Sequence, residues 1–143
     1  MIEPGIGAIR ALQAVRSNGP AIMTILAAIE NKIIPGTIIP KPQARGDFIA
    51  KGWGPRRGER AFIYTIPNNK TPTKPYEKGV TVLEWVKAFK HLTDAGDFSR
   101  SWFNRSMPEC AKEGGCNFTT IGGVFELLGY AAYDRGTYRR TGQ

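Results

Sequence analysis

The sequence predicts an α+β chain, mostly helical with one β-hairpin. Three observations carry that expectation. Apolar residues recur at helical spacing in both halves, one run of β-branched and aromatic residues sits near the middle, and a polar stretch broken by prolines divides the chain. The expected organisation is an N-terminal unit over 1–67 with a basic hairpin, a polar Pro-rich connector over 68–79, and a helical unit over 80–143 with a basic aromatic tail. The two units could equally be integrated as one domain. At 143 residues and 41% hydrophobic content, the chain has enough apolar material for one real core or two very small ones. Its 17 Gly and 10 Pro are spread as punctuation, which argues against disorder.

In the first half, residues 5–17 read as a helix with Ile6, Ile9, Leu12 and Val15 on one face, stopped by Ser17-Asn-Gly-Pro20. Residues 21–30 form a second helix, apolar almost all round and so expected to be buried on several sides. Residues 31–46 carry Pro35, Pro40 and Pro42, which exclude a long regular helix but permit a short one beginning at Pro40 or Pro42. Residues 48–66 read as the hairpin. Its best strand is Phe62-Ile-Tyr-Thr-Ile66, and Gly52-Trp-Gly-Pro-Arg-Arg-Gly58 is its turn.

In the second half, Thr81-Val-Leu-Glu84 is a capping box, followed by a stripe of Val82, Trp85, Val86, Phe89 and Leu92 and a stop at Gly96. A shorter helix restarts at Asp97-Phe-Ser99 and carries Trp102, Phe103 and Met107. A loop over 108–117 holds Cys110 and Cys116. A last helix, capped by Thr119 or Thr120, carries Ile121, Val124, Phe125 and Leu128 and stops at Gly129. From Tyr130 onward the chain is either a final strand or a flexible arm.

The helical stripes at 6–15 and 22–29, the Gly46-Asp-Phe lead-in and the hairpin ending in Tyr64 together resemble a winged helix-turn-helix domain over residues 5–66. The resemblance implies DNA binding, a wing formed by the hairpin, and a recognition helix near 35–45.

The charge pattern points the same way. The chain carries a net +8, and residues 41–60 hold six basic residues against two acids, net +4 of that total. A cationic hairpin reaches a phosphate backbone well, giving affinity and salt dependence while base-edge contacts supply sequence choice. Arg56 and Arg57 are expected to contact phosphates at the wing, supported by Lys41, Arg45, Lys51 and Arg60. The alternative is a solvated turn with no specific partner. Trp53, between two glycines, either stacks on a base or plugs the hairpin against the body. Arg135, Arg139 and Arg140, interleaved with Tyr133 and Tyr138, form a second basic element suited to single strands, or else a plain tail.

Other chemistry finds less support. Two cysteines and one histidine cannot build a four-ligand zinc site, so free reduced thiols are expected at Cys110 and Cys116, with a local disulfide or a metal site shared between chains as alternatives. Neither a metal nor a cofactor is expected. Gly122-Gly123 lacks the lysine and threonine of a phosphate loop and reads instead as room for close approach of a helix or ring. Ile63-Tyr-Thr65 with Tyr76-Glu-Lys-Gly79 loosely resembles the GIY-YIG nuclease pattern, which would make His91 and Glu126 later members. His91 otherwise falls beside Lys87 and Glu84 on a polar face, as a solvated surface residue.

The residues 1–5 lack the basic and apolar segments of a signal peptide, so a cytoplasmic protein is expected, with no membrane partner. The function expected is non-enzymatic nucleic-acid binding, to duplex DNA, by a small bacterial or mobile-element protein. The aromatics of the second half pack a core or build a homodimer interface. The rival from another class is an adaptor or inhibitor whose basic hairpin docks on an acidic protein.

Overall fold

The structure, a computed structural model, describes residues 19–43 and 46–142. The expected helix over 5–17 and Arg45 lie outside the described residues. Five helices and seven strands follow in order among them: α1 (Gly19–Lys32), β1 (Ile38–Ile39), β2 (Phe48–Arg56), β3 (Glu59–Ile66), β4 (Tyr76–Thr81), α2 (Val82–Ala95), β5 (Asp97–Ser99), α3 (Arg100–Ser106), α4 (Pro108–Glu113), α5 (Cys116–Leu127), β6 (Ala131–Asp134) and β7 (Thr137–Arg140). The strands form two antiparallel sheets, one ordered β1-β2-β3-β4 and the other β5-β7-β6. A mostly helical chain with one hairpin is therefore overturned.

The missed strands have a common physical cause. β4 looks polar because Tyr76, Glu77 and Lys78 stay accessible at a sheet edge, while only Gly79, Val80 and Thr81 are buried. β5 has three residues, and β6 and β7 have four each, too short for a two-residue period to show. What read as a polar connector contains β4, and what read as a tail is a hairpin.

The described part of 5–66 holds neither the expected recognition helix nor a projecting wing. Residues 33–43 hold no helix: the chain turns at Gly36 (φ +95°) and continues as β1, which pairs with the start of β2. The hairpin is the centre of the four-stranded sheet, with β4 flanking β3, and is no projecting wing. Its turn is shorter than expected. Gly52 to Arg56 stay paired with Glu59 to Ile63, leaving only Arg57 (φ +51°) and Gly58 (φ +76°) at the tip. Two positive φ values in a two-residue connection match the twist of the flanking strands. Pro55 is accommodated because β1 pairs β2 only at Phe48 and Ile49, leaving the other edge of β2 open at Pro55.

The capping box at Thr81 forms as expected: Glu84 N–H donates to the Thr81 hydroxyl and Thr81 N–H donates to the Glu84 carboxylate, while Gly96 (φ +87°) closes α2. In the C-terminal half Ser99, predicted as part of a helix, instead ends β5 and caps α3 by accepting from Trp102 N–H. The last helix begins at Cys116, ahead of Thr119.

A single buried cluster runs from Ile25 to Tyr138. Trp85, Phe103, Phe118 and Phe125 belong to it, so the large aromatics of the second half are mostly core. Phe98 of β5 is its hub, with ring centroids of Phe103, Phe118, Phe125 and Tyr138 between 5.0 and 6.4 Å away. α5 is the most enclosed element. A Cβ on Gly122 would lie 2.1 Å from the Tyr138 ring, and one on Gly123 would lie 2.2 Å from the Pro40 carbonyl oxygen. The glycine pair serves close approach, by an aromatic ring on one side and by the β1 backbone exit on the other. One interior polar cluster is matched, since the Tyr64 hydroxyl donates to Asn117 Oδ1 at 2.6 Å and Asn117 Nδ2 donates to the Cys110 carbonyl at 3.0 Å. The buried Trp85 Nε1 and Tyr138 hydroxyl have no hydrogen-bond partner among the described residues.

Candidate nucleic-acid interface

The hairpin arginines turn inward. Arg56 Nε donates to Glu113 Oε2 at 2.7 Å and Arg56 Nη2 to the Glu77 carbonyl at 2.7 Å. Arg57 Nε donates to Glu113 Oε1, its Nη1 and Nη2 to the two carboxylate oxygens of Glu84, and Nη2 also to the Gly79 carbonyl. The two side chains are only 30% and 27% exposed. Glu84's hydrogen bond holds the Arg57 guanidinium firmly in its charged form. A guanidinium held by two carboxylates and a carbonyl has little left to offer a phosphate. These residues clamp the hairpin to α2 and α4.

The neighbouring sequence-predicted residues are partnered as well. Lys51 pairs with Glu77. Trp53 is half-buried, edge-on to Phe62 at 5.5 Å, with the Arg60 guanidinium 4.6 Å above its ring. It plugs the sheet and is not splayed out to meet a base. At the C-terminal hairpin, Arg135 stands at the tip in a left-handed conformation (φ +48°), with its side chain 89% exposed and one bond to Asp134. Arg139 also pairs with Asp134, and Arg140 Nη1 donates to the Thr93 carbonyl.

Two surface clefts differ in charge. The one beside the Arg57 clamp, about 340 Å³, carries Glu59, Glu84 and Glu109 against Arg57 and Lys87, so it suits no polyanion. The second, about 560 Å³, opens between residues 41–43 with Phe48 and the C-terminal hairpin, and none of its described lining residues is acidic. Lys41 and Phe48 line it from one part of the chain, Arg100, Cys116 and Phe118 from a second, and Tyr133 and Gly136 from the C-terminal hairpin. Lys41 Nζ donates to the Gln43 carbonyl and lies 5.2 Å from the Phe48 ring centre. The Arg100 guanidinium lies 4.6 Å over Phe118 and donates from Nη1 to the Gly115 carbonyl at 2.8 Å. Among the described residues no carboxylate pairs with Arg100. Tyr133 is 39% exposed and leans edge-on against buried Tyr138 at 5.2 Å.

This cleft unites Lys41 with the Arg135 hairpin, two basic elements that are far apart in sequence. Arg100 and Phe118 were not recognisable as site residues, whereas Tyr133 was, as one of the rings interleaved with Arg135, Arg139 and Arg140. Arg100 reads as an ordinary residue of a helix first turn, and nothing local marks it as facing a segment some sixty residues earlier. Asp97, three residues before it, even offers an acid at helical spacing, so the sequence holds no signal for it.

The groups singled out for nuclease chemistry have separate surroundings. Tyr64 is buried against Asn117, with Cys116 Sγ 3.2 Å from its hydroxyl, and burial raises its pKa. Tyr76 is exposed at the end of β4 opposite Ile66. Glu126 accepts from Tyr133 N–H. His91, expected to be solvated, is stacked on Trp102 with ring centres 3.9 Å apart and planes 7° apart, and burial lowers its pKa. Among the described residues no group of three or more His, Cys, Asp or Glu could hold a metal ion, and no helix is long and apolar enough to cross a membrane. Cys110 and Cys116 are both free thiols. Cys110 is buried and its pKa is pushed up by burial and by Glu84, whereas Cys116 is part-exposed in the wall of the acid-free cleft. No family model, curated protein or solved structure matches this chain.

Proposed function

We propose that this protein binds nucleic acid through the acid-free cleft between residues 41–43 with Phe48 and the C-terminal hairpin. The observation that carries the reading is the composition of that cleft: Lys41 and Arg100 beside Phe48, Phe118 and Tyr133, with no carboxylate among the described lining residues. Cations supply phosphate affinity, and rings supply faces for bases. Arg135, exposed at the adjoining hairpin tip, extends the cationic surface beyond the cleft. The chain's net charge of +8 steers a polyanion toward the protein. Arg56 and Arg57 take a structural role in this reading, because four bonds from Arg57 and two from Arg56 tie them to carboxylates and carbonyls of the protein itself.

The test is fluorescence anisotropy with labelled oligonucleotides, single-stranded and duplex, at about 50 mM and about 200 mM salt. Binding that weakens with salt, and whose log–log slope drops by roughly 0.7–0.9 on Arg100→Ala, is the expected result. Absence of binding to either oligonucleotide at the lower salt would overturn the reading.

A further inference from the structure

Resting on that reading, we infer that the cleft takes an unpaired nucleotide of a single strand, its base against Tyr133 and its phosphate on Arg100. Three features of the site favour a single strand over a duplex. First, entering a duplex groove requires an element with a free face, usually a helix. α5, the helix that leads into the C-terminal hairpin, is enclosed by Tyr138 at Gly122 and by Pro40 and Ile39 at Gly123, so it has no such face to offer. Second, the cleft is a concave space of about 560 Å³, within the ~300–1,000 Å³ range of pockets that engulf a small ligand. A base can enter such a space only when it is unstacked from its neighbours. Third, the cleft pairs exposed aromatic surface with cations, the combination that holds single strands by stacking and by phosphate contact together.

The division of labour follows from the contacts. Tyr133 is the accessible ring, braced on one side by Tyr138, so stacking a base on it needs little rearrangement. Arg100 spends one N–H on the Gly115 carbonyl and keeps its remaining donors, with its guanidinium carbon 4.6 Å from the Phe118 ring centre. Its position is fixed before a ligand arrives, which reduces the ordering cost of binding.

The experiment compares an oligo-dT and an oligo-rU single strand with a duplex of equal length, against the wild type, Tyr133→Leu and Arg100→Ala, each checked for folding by circular dichroism. Cys116 alkylation by iodoacetamide provides a second readout, since this thiol lines the cleft while Cys110 is buried. The expected result is single-strand affinity at least about tenfold above duplex, an approximately tenfold loss in Tyr133→Leu, and slowed Cys116 alkylation when the strand is bound. Comparable response to dT and rU would define the ligand as the unpaired nucleotide itself, and preference for one sugar would narrow it to that nucleic acid. Duplex affinity equal to or above single-strand affinity, or an unchanged Tyr133→Leu, would overturn the inference while leaving nucleic-acid binding intact. Strong single-strand binding with undiminished Cys116 alkylation would overturn the cleft as its location. Failure of every oligonucleotide to bind would overturn both this inference and the reading beneath it.

Discussion

Arg57 holds Glu84 with two hydrogen bonds, Nη1 to Oε2 at 2.6 Å and Nη2 to Oε1 at 3.0 Å. The pair joins the tip of the β2–β3 hairpin to the first turn of α2, and the same carboxylate closes the capping box by accepting from Thr81 N–H. A residue in the left-handed region carries a backbone cost that glycine would avoid. The ion pair, with the further bonds to Glu113 and Gly79, offsets that cost and fixes the tip.

Removing this clamp should therefore cost stability. Arg57→Ala strands the Glu84 carboxylate, whose side chain is only 16% exposed, and is expected to destabilise the fold by about 2 kcal/mol. Urea denaturation reads this directly, and an unchanged midpoint would show that the arginine is an ordinary surface residue. The same pair has an acid-side signature. Burial pushes the Glu84 carboxyl up, but its bonds with Arg57 and Thr81 outweigh burial and hold its pKa below the ordinary value of 4.5. A depressed carboxylate contributes stability above the unfolded-state value and loses it as pH falls through the folded-state value. Glu84→Gln should accordingly flatten the decline in stability below about pH 4.5, a window set by that ordinary value.

His91 controls a milder and separate pH window. It stacks on Trp102, with Asp97 4.0 Å from its Nε2. Burial lowers its pKa, and Arg105 adds to that, against the opposing pull of Asp97 and Asp94. The folded state therefore resists protonation more than the unfolded chain does, so stability falls as pH drops below the ordinary histidine value of 6.5. His91→Phe keeps a ring on Trp102 and cannot titrate. Its stability should stay level between pH 7 and pH 5.5 where the wild type declines, the window following from that ordinary value. His91→Ala should lose about 1 kcal/mol at neutral pH from the missing stack. Parallel stability–pH curves for wild type and His91→Phe would refute the assignment.

What the sequence makes legible divides along physical lines. α2 is readable because Thr81, Glu84, the Trp85–Leu92 stripe and Gly96 all speak locally, each within a few residues of its partner. β4 is not, because its accessible polar first half reads as connector, and β5 through β7 are not, because a strand of three or four residues is defined by its neighbour across the sheet and not by its own pattern. The basic stretch at 41–60 is equally visible, yet its meaning depends on Glu84 and Glu113, which lie 27 and 56 residues beyond Arg57 and bring the missing negative charge. The cleft is the extreme case. Lys41, Arg100 and Tyr133 meet only because β1 packs on α5 and the last hairpin folds back onto β5.

That packing is itself testable at Gly123. Within a helix, alanine is ordinarily better than glycine by about 1 kcal/mol, so propensity alone predicts that Gly123→Ala stabilises the protein. The surroundings predict the opposite. The added Cβ would lie 2.2 Å from the Pro40 carbonyl oxygen and 2.7 Å from Ile39, so backbone at the exit of β1 would have to move. Overpacking of this kind costs about 3 kcal/mol, enough to override the helix preference. Gly122→Ala meets the Tyr138 ring at 2.1 Å and should also destabilise, since that ring is fully buried and cannot swing clear. The two variants are expected to differ at the cleft. Gly123→Ala displaces the segment leading to Lys41, so it should weaken nucleic-acid binding as well as lower the urea midpoint. Gly122→Ala presses on the Tyr138 ring that braces Tyr133, so its effect on binding should come through the stacking ring and not through Lys41. A Gly123→Ala protein as stable as wild type would show that β1 does not close on α5.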